Sequence, residues 1–364
     1  MCLTRIPWIP CSSIFSRNLG YSARFQKHSN SGNQLASKDA ATNSVIGASD
    51  LRIQRIKINS HTGEVIRFDA VIQDTMPSGS SVGTVIACHG APGSHNDFKH
   101  FLPYLKDRAI RFIGINFPGF GFTLPDQRLR HDNRERLEFV REIVEHLKLK
   151  NNLVFVGHSR GSETVLKLGA IFKERTVAVV LINPMGLIDH RGIRPLWRLT
   201  LFVWLWNLGT ITQFFLKPLI YLLYKYVLKI RAETGEVAAT CVFAMRNVDL
   251  SSQNEYIRIL NNSNVRVFIA HAGRDWFIEP EISENFADSF SGVEKLICGA
   301  GAEGENIVSD HVKRVIDEGK RRVSVYFPED GHFLQKYRAK LLANAVYWML
   351  NDETERHFRR KAHL

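Results

Sequence analysis

A G-x-S-x-G segment gives the clearest sign of chemistry in this chain of 364 residues. It runs Gly157-His158-Ser159-Arg160-Gly161, between an apolar run at 153–156 that predicts a strand and a segment at 163–173 that predicts a helix. A turn this tight needs small residues near the serine, and it lifts the Ser159 hydroxyl clear of the sheet edge at a helix N-terminus. The motif alone is common, so its place between strand and helix carries the prediction of a nucleophilic serine.

A serine nucleophile needs partners, because its hydroxyl reacts poorly at neutral pH without a base and an acid that orients the base. His332 follows an apolar run at 322–327, and Asp275 follows another at 265–270. If both runs are parallel strands, the two side chains lie at the carboxyl ends of the strands, the edge where Ser159 lies and where ligands bind. His332 and Asp275 are therefore candidates for the base and the acid.

A glycine-rich turn predicts the donors for a developing oxyanion. The segment HGAPGS at 89–94 follows an apolar run at 82–88. Such a turn lets a backbone N–H, that of Ala91, face the nucleophile, and the N–H of Arg160 would be the second donor. We therefore expect Ala91 and Arg160 to bind the substrate carbonyl.

Three side chains beside these motifs need their own interpretation. Arg160 places a cation at a helix N-terminus, where it opposes the helix dipole, so either a local ion pair compensates it or it binds an anionic group of the substrate. His158 and His89 are interpreted as structural hydrogen-bonding groups rather than as bases.

The elements that must position these residues predict an α/β fold. Short apolar runs alternate with amphipathic segments from residue 82 to 182 and resume at 265, which indicates a mostly parallel sheet covered by helices on both faces. A last strand at 322–327 and a helix at 334–350 close the pattern. We expect a leader and linker at 1–50, a core at 51–186 and 253–364, and a helical lid at 187–252 inserted between two strands.

Together these motifs resemble those of α/β-hydrolase-fold serine hydrolases, in the lipase- or esterase-like branch with an HG-x-P-G oxyanion turn. The resemblance covers about residues 51–350, and it rests on HGAPGS, on NFPGFGFT at 116–123, on GHSRG, on GRDWFIEP at 273–280 and on DGHF at 330–333. It implies Ser159 as nucleophile, His332 as base and Asp275 as acid, with no cofactor and no metal. Relatives with an Asp nucleophile are disfavoured by Ser159. Asp275 and His332 are 57 positions apart, more than is usual in such proteins, so Glu279 remains an alternative acid.

The insertion contains 18 residues without a charge at 199–216, and a second apolar run at 219–228. Three interpretations are open: a buried lid helix, a helix lying in a membrane interface with its Arg and Lys side chains at headgroups, or a membrane span. The first two place an apolar lid over the site and predict a hydrophobic substrate pocket. We therefore expect a hydrolase of acyl esters, thioesters or lipids; the alternatives are a carbon–carbon bond hydrolase with the same triad and a catalytically silent lipid-binding protein.

The formal net charge of +12 is concentrated in two segments. Residues 1–38 carry five basic side chains and no acid, and residues 187–231 have a net charge of +6. The remainder is nearly neutral, so nucleic acid is not an expected partner. The Ser- and Arg-rich leader is typical of a mitochondrial transit peptide; the alternatives are a cytoplasmic protein or one peripheral on an intracellular membrane. The basic insertion predicts peripheral contact with an anionic membrane.

A G-x-G-x-x-G pattern at 299–304 mimics a dinucleotide-binding fingerprint. That fold needs a whole βαβ unit and more beyond it, whereas the 60 residues that remain already supply the last strand, His332 and the closing helix. We therefore interpret the pattern as a flexible glycine loop. Outside the leader, Cys88, Cys241 and Cys298 are widely spaced, which fits a reducing compartment.

Overall fold

The computed structural model describes residues 50–362, with side chains to residue 352. The basic leader, and with it the predicted transit peptide, lies outside the described residues. The described chain forms a nine-stranded sheet in the order β1-β2-β4-β3-β5-β6-β7-β9-β8. The strands are β1 (Leu51–Asn59), β2 (Val65–Asp74), β3 (Thr84–Cys88), β4 (Arg111–Ile115), β5 (Leu153–His158), β6 (Thr176–Ile182), β7 (Arg266–Ala272), β8 (Glu294–Ile297) and β9 (Arg322–Phe327).

The pairing confirms the predicted mostly parallel sheet. All neighbouring strands from β4 to β8 along this order are parallel, and only the pairs β1–β2 and β2–β4 are antiparallel. Every residue of β3, β4, β5, β6 and β7 is buried, as uninterrupted apolar runs require. The β1–β2 hairpin was not predicted, although buried and exposed residues alternate along most of β2, the pattern of a strand with one face in water.

Helices cover both faces of this sheet and account for most of the connections. Their bounds are α1 (Leu102–Lys106), α2 (Asn133–His146), α3 (Arg160–Ile171), α4 (Leu196–Trp206), α5 (Thr210–Leu222), α6 (Gly235–Arg246), α7 (Gln253–Asn261), α8 (Pro280–Asp288), α9 (Gly301–Asp317), α10 (Leu334–Tyr337) and α11 (Ala339–Ala362). α2 begins where the Asp132 side chain accepts a hydrogen bond from the Glu135 N–H at 2.9 Å, which satisfies one of the free donors of its first turn. It buries Phe139, Val140 and Ile143 in the main core.

The insertion between β6 and β7 consists of α4, α5, a π-helical turn (Leu223–Leu228) and α6. The charge-free run at 199–216, for which a buried lid helix was one of three open interpretations, is broken at 207–209 into α4 and α5. The buried interpretation is wrong: α4 has no buried residue, and α5 buries only Ile220, because the inner face of each helix packs on α6 while the outer face is exposed. No helix of the described residues is both long and apolar enough to cross a membrane.

The glycine pattern at 299–304 is also not a flexible loop. It forms the turn from the edge strand β8 into α9, whose first residue is Gly301. A Cβ atom on Gly304 would lie 2.3 Å from the Gly299 carbonyl carbon, so the two backbones approach too closely for a side chain there. This strand–helix unit accounts for the long separation between Asp275 and His332.

Candidate active site

Ser159 lies in a strained turn between β5 and α3. Its backbone angles, φ 50° and ψ −122°, are rare for a residue with a side chain and are held by surrounding contacts. Its N–H donates to the Ile182 carbonyl at 2.9 Å, while the Ser162 hydroxyl donates to the Ser159 carbonyl at 2.6 Å. Gly161 has no room for a side chain, since a Cβ atom would lie 2.2 Å from the Cys88 carbonyl oxygen. The hydroxyl of Ser159 is thereby held at the edge of the sheet on a half-buried residue.

His332 and Asp275 meet at the same edge, in the loops that follow β9 and β7. The His332 Nδ1 atom lies 2.7 Å from Asp275 Oδ2. The other carboxylate oxygen of Asp275 accepts from the N–H groups of Phe277, at 2.8 Å, and Ile278, at 3.1 Å. Burial by itself would raise the pKa of Asp275, but the His332 hydrogen bond and these two donors outweigh it, so its pKa lies below the usual value. Asp275 is therefore a carboxylate that can orient His332.

Glu279, the alternative acid, faces away from this pair. Its carboxylate accepts from the Arg191 N–H at 2.9 Å and forms an ion pair with Arg194. The Arg191 guanidinium also lies 5.2 Å from the centre of the Trp276 ring. Glu279 thus links the start of the insertion to the loop that carries Asp275. Of the two carboxylates, only that of Asp275 contacts His332.

A shared set of contacts places His332 beside the serine turn. The Nε2 atom of His158, the residue before Ser159, lies 2.8 Å from the His332 carbonyl oxygen, and the Asn183 amide donates to the same oxygen at 2.7 Å. The rings of His158 and His332 are 4.8 Å apart. Among residues 50–362 the Ser159 hydroxyl makes no hydrogen bond to His332; in catalytic sites this bond often forms only when substrate is bound.

His158 and His89 have the structural role that was predicted for them. Burial lowers the pKa of His158 to about 3 and that of His89 well below its usual value, so both rings are neutral. His89 accepts from the Phe117 N–H at 3.3 Å through Nε2 and donates to the Gly90 carbonyl at 2.6 Å through Nδ1. Each ring is thus engaged with backbone groups, His158 with the His332 carbonyl and His89 with Gly90 and Phe117.

The predicted oxyanion donors lie on two sides of the serine. The turn after β3 approaches it closely, since a Cβ atom on Gly90 would lie 3.2 Å from Ser159 Cβ. In the part of the chain that the structure describes, the N–H groups of Ala91 and Arg160 have no acceptor. Both N–H groups are therefore available to an acceptor from outside the described chain, as the donors of an oxyanion would have to be.

The Arg160 side chain is completely buried and forms a local ion pair. Its guanidinium lies 2.8 Å from the Glu163 carboxylate and donates to the Asn133 side chain at 2.7 Å. The other oxygen of Glu163 lies 2.6 Å from Lys167 Nζ. The interpretation that this guanidinium binds an anionic substrate group does not fit a side chain without exposed surface, so only the backbone N–H of Arg160 remains a candidate for substrate contact.

Two residues that hold the loops of His332 and Asp275 in place were not predicted from the sequence. Asn183 directly follows β6; besides its bond to His332, its side-chain oxygen accepts from the Ala272 N–H at 2.9 Å, which joins the ends of β6 and β7 to the histidine loop. His190 lies 3.0 Å from the Phe277 carbonyl and steadies the loop after Asp275. A polar residue directly after a buried strand is the signal that could have identified Asn183.

A strained serine at a strand-to-helix turn and a His–Asp pair on the same edge of a mostly parallel sheet are typical of the α/β hydrolases, and the protein is an enzyme of this class. The chain belongs to the family described as alpha/beta hydrolase of unknown function (DUF1057), whose model matches residues 49–351.

Known proteins resemble the chain to different extents. An uncharacterized protein of Caenorhabditis elegans is 28% identical over 327 residues, 83% of this chain and 88% of that protein. A 2-hydroxy-6-oxo-6-(2'-aminophenyl)hexa-2,4-dienoic acid hydrolase of Metapseudomonas resinovorans is 29% identical over 118 residues, 31% of this chain and 40% of that enzyme. The solved structure of an esterase from Exiguobacterium antarcticum superposes with a TM-score of 0.53 at 16% identity, over 81% of this chain and 99% of that one, which shows a common fold.

Proposed function

We propose that this protein is a serine hydrolase that cleaves a carboxylic ester or thioester of a hydrophobic substrate through an acyl-enzyme on Ser159. The observation that carries the proposal is the His332–Asp275 hydrogen bond of 2.7 Å at the sheet edge that also holds the strained serine. A buried carboxylate that accepts from Nδ1 leaves Nε2 of the imidazole free to take the serine proton.

The reaction has two steps, acylation of Ser159 and hydrolysis of the acyl-enzyme. The Ser159 oxygen attacks the acyl carbon while His332 Nε2 accepts its proton, and the N–H groups of Ala91 and Arg160 stabilise the oxyanion. The carbon–oxygen or carbon–sulfur bond to the leaving group breaks, and His332 returns the proton to the departing alcohol or thiol. Water next gives a proton to His332 while its oxygen attacks the acyl carbon. The bond from that carbon to the Ser159 oxygen breaks, His332 returns the proton to Ser159, and the carboxylic acid leaves.

Aromatic side chains around the His–Asp pair support a hydrophobic substrate. Trp276, directly after Asp275, is 67% exposed, and Phe333, directly after His332, is 45% exposed. The Phe277 ring centre lies 5.1 Å from that of His332. Exposed aromatic rings beside a reactive centre offer apolar surface that an acyl chain can cover.

Labelling with a fluorophosphonate probe tests the nucleophile. We expect the wild-type protein to be labelled, Ser159→Ala to lose the label, and Ser289→Ala, at the far end of α8, to keep it. No labelling of the folded wild-type protein would contradict the proposal and favour a catalytically silent lipid-binding protein. A series of acyl esters then tests the hydrophobic pocket: kcat/KM should rise with chain length, and a best substrate with a two-carbon acyl group would refute this part.

A carbon–carbon bond hydrolase is the second candidate, favoured by the partial match to the dienoic acid hydrolase of Metapseudomonas resinovorans. Both candidates use Ser159, so the serine probe does not separate them. Parallel assays with acyl esters and with a 2-hydroxy-6-oxo-dienoic acid do: faster Ser159-dependent turnover of the dienoic acid would replace the ester proposal.

A further inference from the structure

The outer surface of the insertion is unusually apolar for a surface in contact with water. Of the 24 large hydrophobic side chains that the described part of the chain exposes, 13 lie between residues 196 and 227. The most exposed are Ile211, Phe214, Phe215 and Val227, at 76%, 73%, 67% and 68%. Soluble proteins rarely expose apolar patches beyond a few hundred Å², and larger ones usually mark a site of interaction.

The geometry of α5 shows that this exposure is a continuous face. Ile211, Phe214, Phe215, Leu219 and Leu222 recur at helical spacing and all are exposed. The inner face of the same helix packs on α6 and buries Ile220. A surface helix normally carries polar residues on the face opposite the core, so an outward face made of apolar side chains requires a second apolar environment.

The charges around this face favour one kind of partner. Four exposed cations of the insertion, Arg198, Lys225, Lys229 and Arg231, have no acidic partner among residues 50–352, whereas Lys217 is paired with Glu236 at 2.7 Å. Unpaired cations that flank exposed aromatic and aliphatic side chains match the headgroup region and the acyl region of an anionic bilayer.

The same charges argue against two other occupants. A second copy of the chain on this face would bring together two surfaces of the same net positive charge, which is unfavourable. The leader, residues 1–38, carries five basic side chains and no acid, so it would bring further positive charge to an already basic surface.

We propose that α4, α5 and the π-helical turn form a docking surface for an anionic lipid bilayer, with Trp204, Phe214 and Phe215 in the acyl region and Arg198, Lys225, Lys229 and Arg231 at the headgroups. The helices lie in the interface rather than across the membrane. The docking surface does not depend on the chemistry of Ser159.

Vesicle co-sedimentation of the full chain tests this proposal, with vesicles of phosphatidylcholine alone and of phosphatidylcholine mixed with phosphatidylserine. We expect binding to the anionic vesicles only. The double variant Phe214→Ser and Phe215→Ser should weaken it roughly tenfold or more, because the apolar anchor is removed. The matched control, Ile53→Ser and Ile297→Ser, removes side chains that are 64% and 71% exposed on edge strands and should bind like the wild type.

A charge-reversed pair tests the electrostatic part in the same assay. Each cation near an anionic membrane contributes roughly a fivefold change in partitioning, so Lys225→Glu with Lys229→Glu should lower binding by at least about tenfold. The control, Lys57→Glu with Lys150→Glu, reverses exposed cations of the core domain and should have little effect. Because the leader is the same in all variants, its own attraction to lipid cancels in these comparisons.

Three results would overturn the proposal. They are vesicle binding that the Phe214 and Phe215 variant leaves unchanged, binding that is indifferent to phosphatidylserine, and a wild-type dimer in sedimentation velocity that this variant dissociates, which would identify a second copy as the occupant. Ser159→Ala should bind vesicles like the wild type, so failure of the hydrolase proposal and failure of the docking proposal are distinguishable.

Discussion

The Nδ1 atom of His332 lies 2.7 Å from the Oδ2 atom of Asp275, although the two residues are 57 positions apart in the chain. The second carboxylate oxygen of Asp275 is held by two backbone N–H groups, so the carboxylate has little freedom to turn away. Glu279, only four residues further on, is bound to Arg191 and Arg194 instead. Two carboxylates of one loop therefore have separate tasks, one at the histidine and one at the insertion.

Asp275→Asn should lower kcat for a reactive ester by roughly 10³–10⁴-fold, because an amide no longer favours the tautomer that leaves His332 Nε2 free to accept a proton. Glu279→Gln should leave kcat within about tenfold, since it loosens the insertion without touching His332. Steady-state kinetics of both variants, with thermal unfolding as the folding control, measure the difference. Equal losses in the two variants would contradict the assignment of the acid.

Asp97→Asn should change how stability depends on pH. Asp97 lies beside the oxyanion turn, where a Cβ atom on Gly93 would come within 2.4 Å of its carboxylate, and burial raises the pKa of Asp97 to about 7. Below about pH 4 the carboxyl is protonated in both the folded and the unfolded chain; between about pH 4 and 7 only the unfolded chain ionises, so the free energy of unfolding falls as pH rises. Asp97→Asn has no carboxyl at this position, so its free energy of unfolding should not fall in this way.

Urea denaturation over this pH range measures the effect. Asp97→Asn should match the wild type near pH 4 and be more stable by roughly 1–3 kcal/mol near pH 8. Parallel stability curves for the two proteins would mean that the carboxyl ionises at the same pH in both states.

Glu163→Gln should be strongly destabilising, because the buried Glu163 carboxylate is paired with both Arg160, at 2.8 Å, and Lys167, at 2.6 Å. Removing its charge leaves two buried cations without compensation, which typically costs 3–5 kcal/mol. Glu145→Gln is the matched control: its ion pair with Arg175 is exposed, and its loss should cost at most about 1 kcal/mol. A comparable effect of the two substitutions on urea denaturation would contradict the compensating role of Glu163.

Residues 1–50 should direct a fused fluorescent protein to mitochondria, because the leader is basic, Ser-rich and free of acids up to Asp39. Replacing Arg5, Arg17 and Arg24 by Glu is expected to abolish the targeting, since import of such leaders depends on their positive charge. Microscopy with a mitochondrial marker measures both. A diffuse signal from the unaltered fusion would mean that the leader is a basic tail that does not direct the protein to mitochondria.

The strands that position the candidate site were predictable because their signal is local. β3, β5, β6, β7 and β9 are continuous apolar runs, and a strand buried on both faces must be apolar along its length. The antiparallel β1–β2 hairpin is different: one face of β2 is exposed, so its residues alternate between buried and exposed and do not form a continuous apolar run.

The sequence by itself determined the type of fold, the serine at the strand-to-helix turn, and the two short segments that hold Asp275 and His332, because each depends on residues close together in the chain. Tertiary structure alone decided which carboxylate meets the histidine, since Asp275 and Glu279 lie in one loop and differ only in the partners that packing brings to them. It also decided that Arg160 points into an ion pair. In the insertion, an apolar run predicts contact with an apolar partner but does not identify that partner. Only the packing shows that α6 covers the inner faces of α4 and α5 and leaves their outer faces exposed.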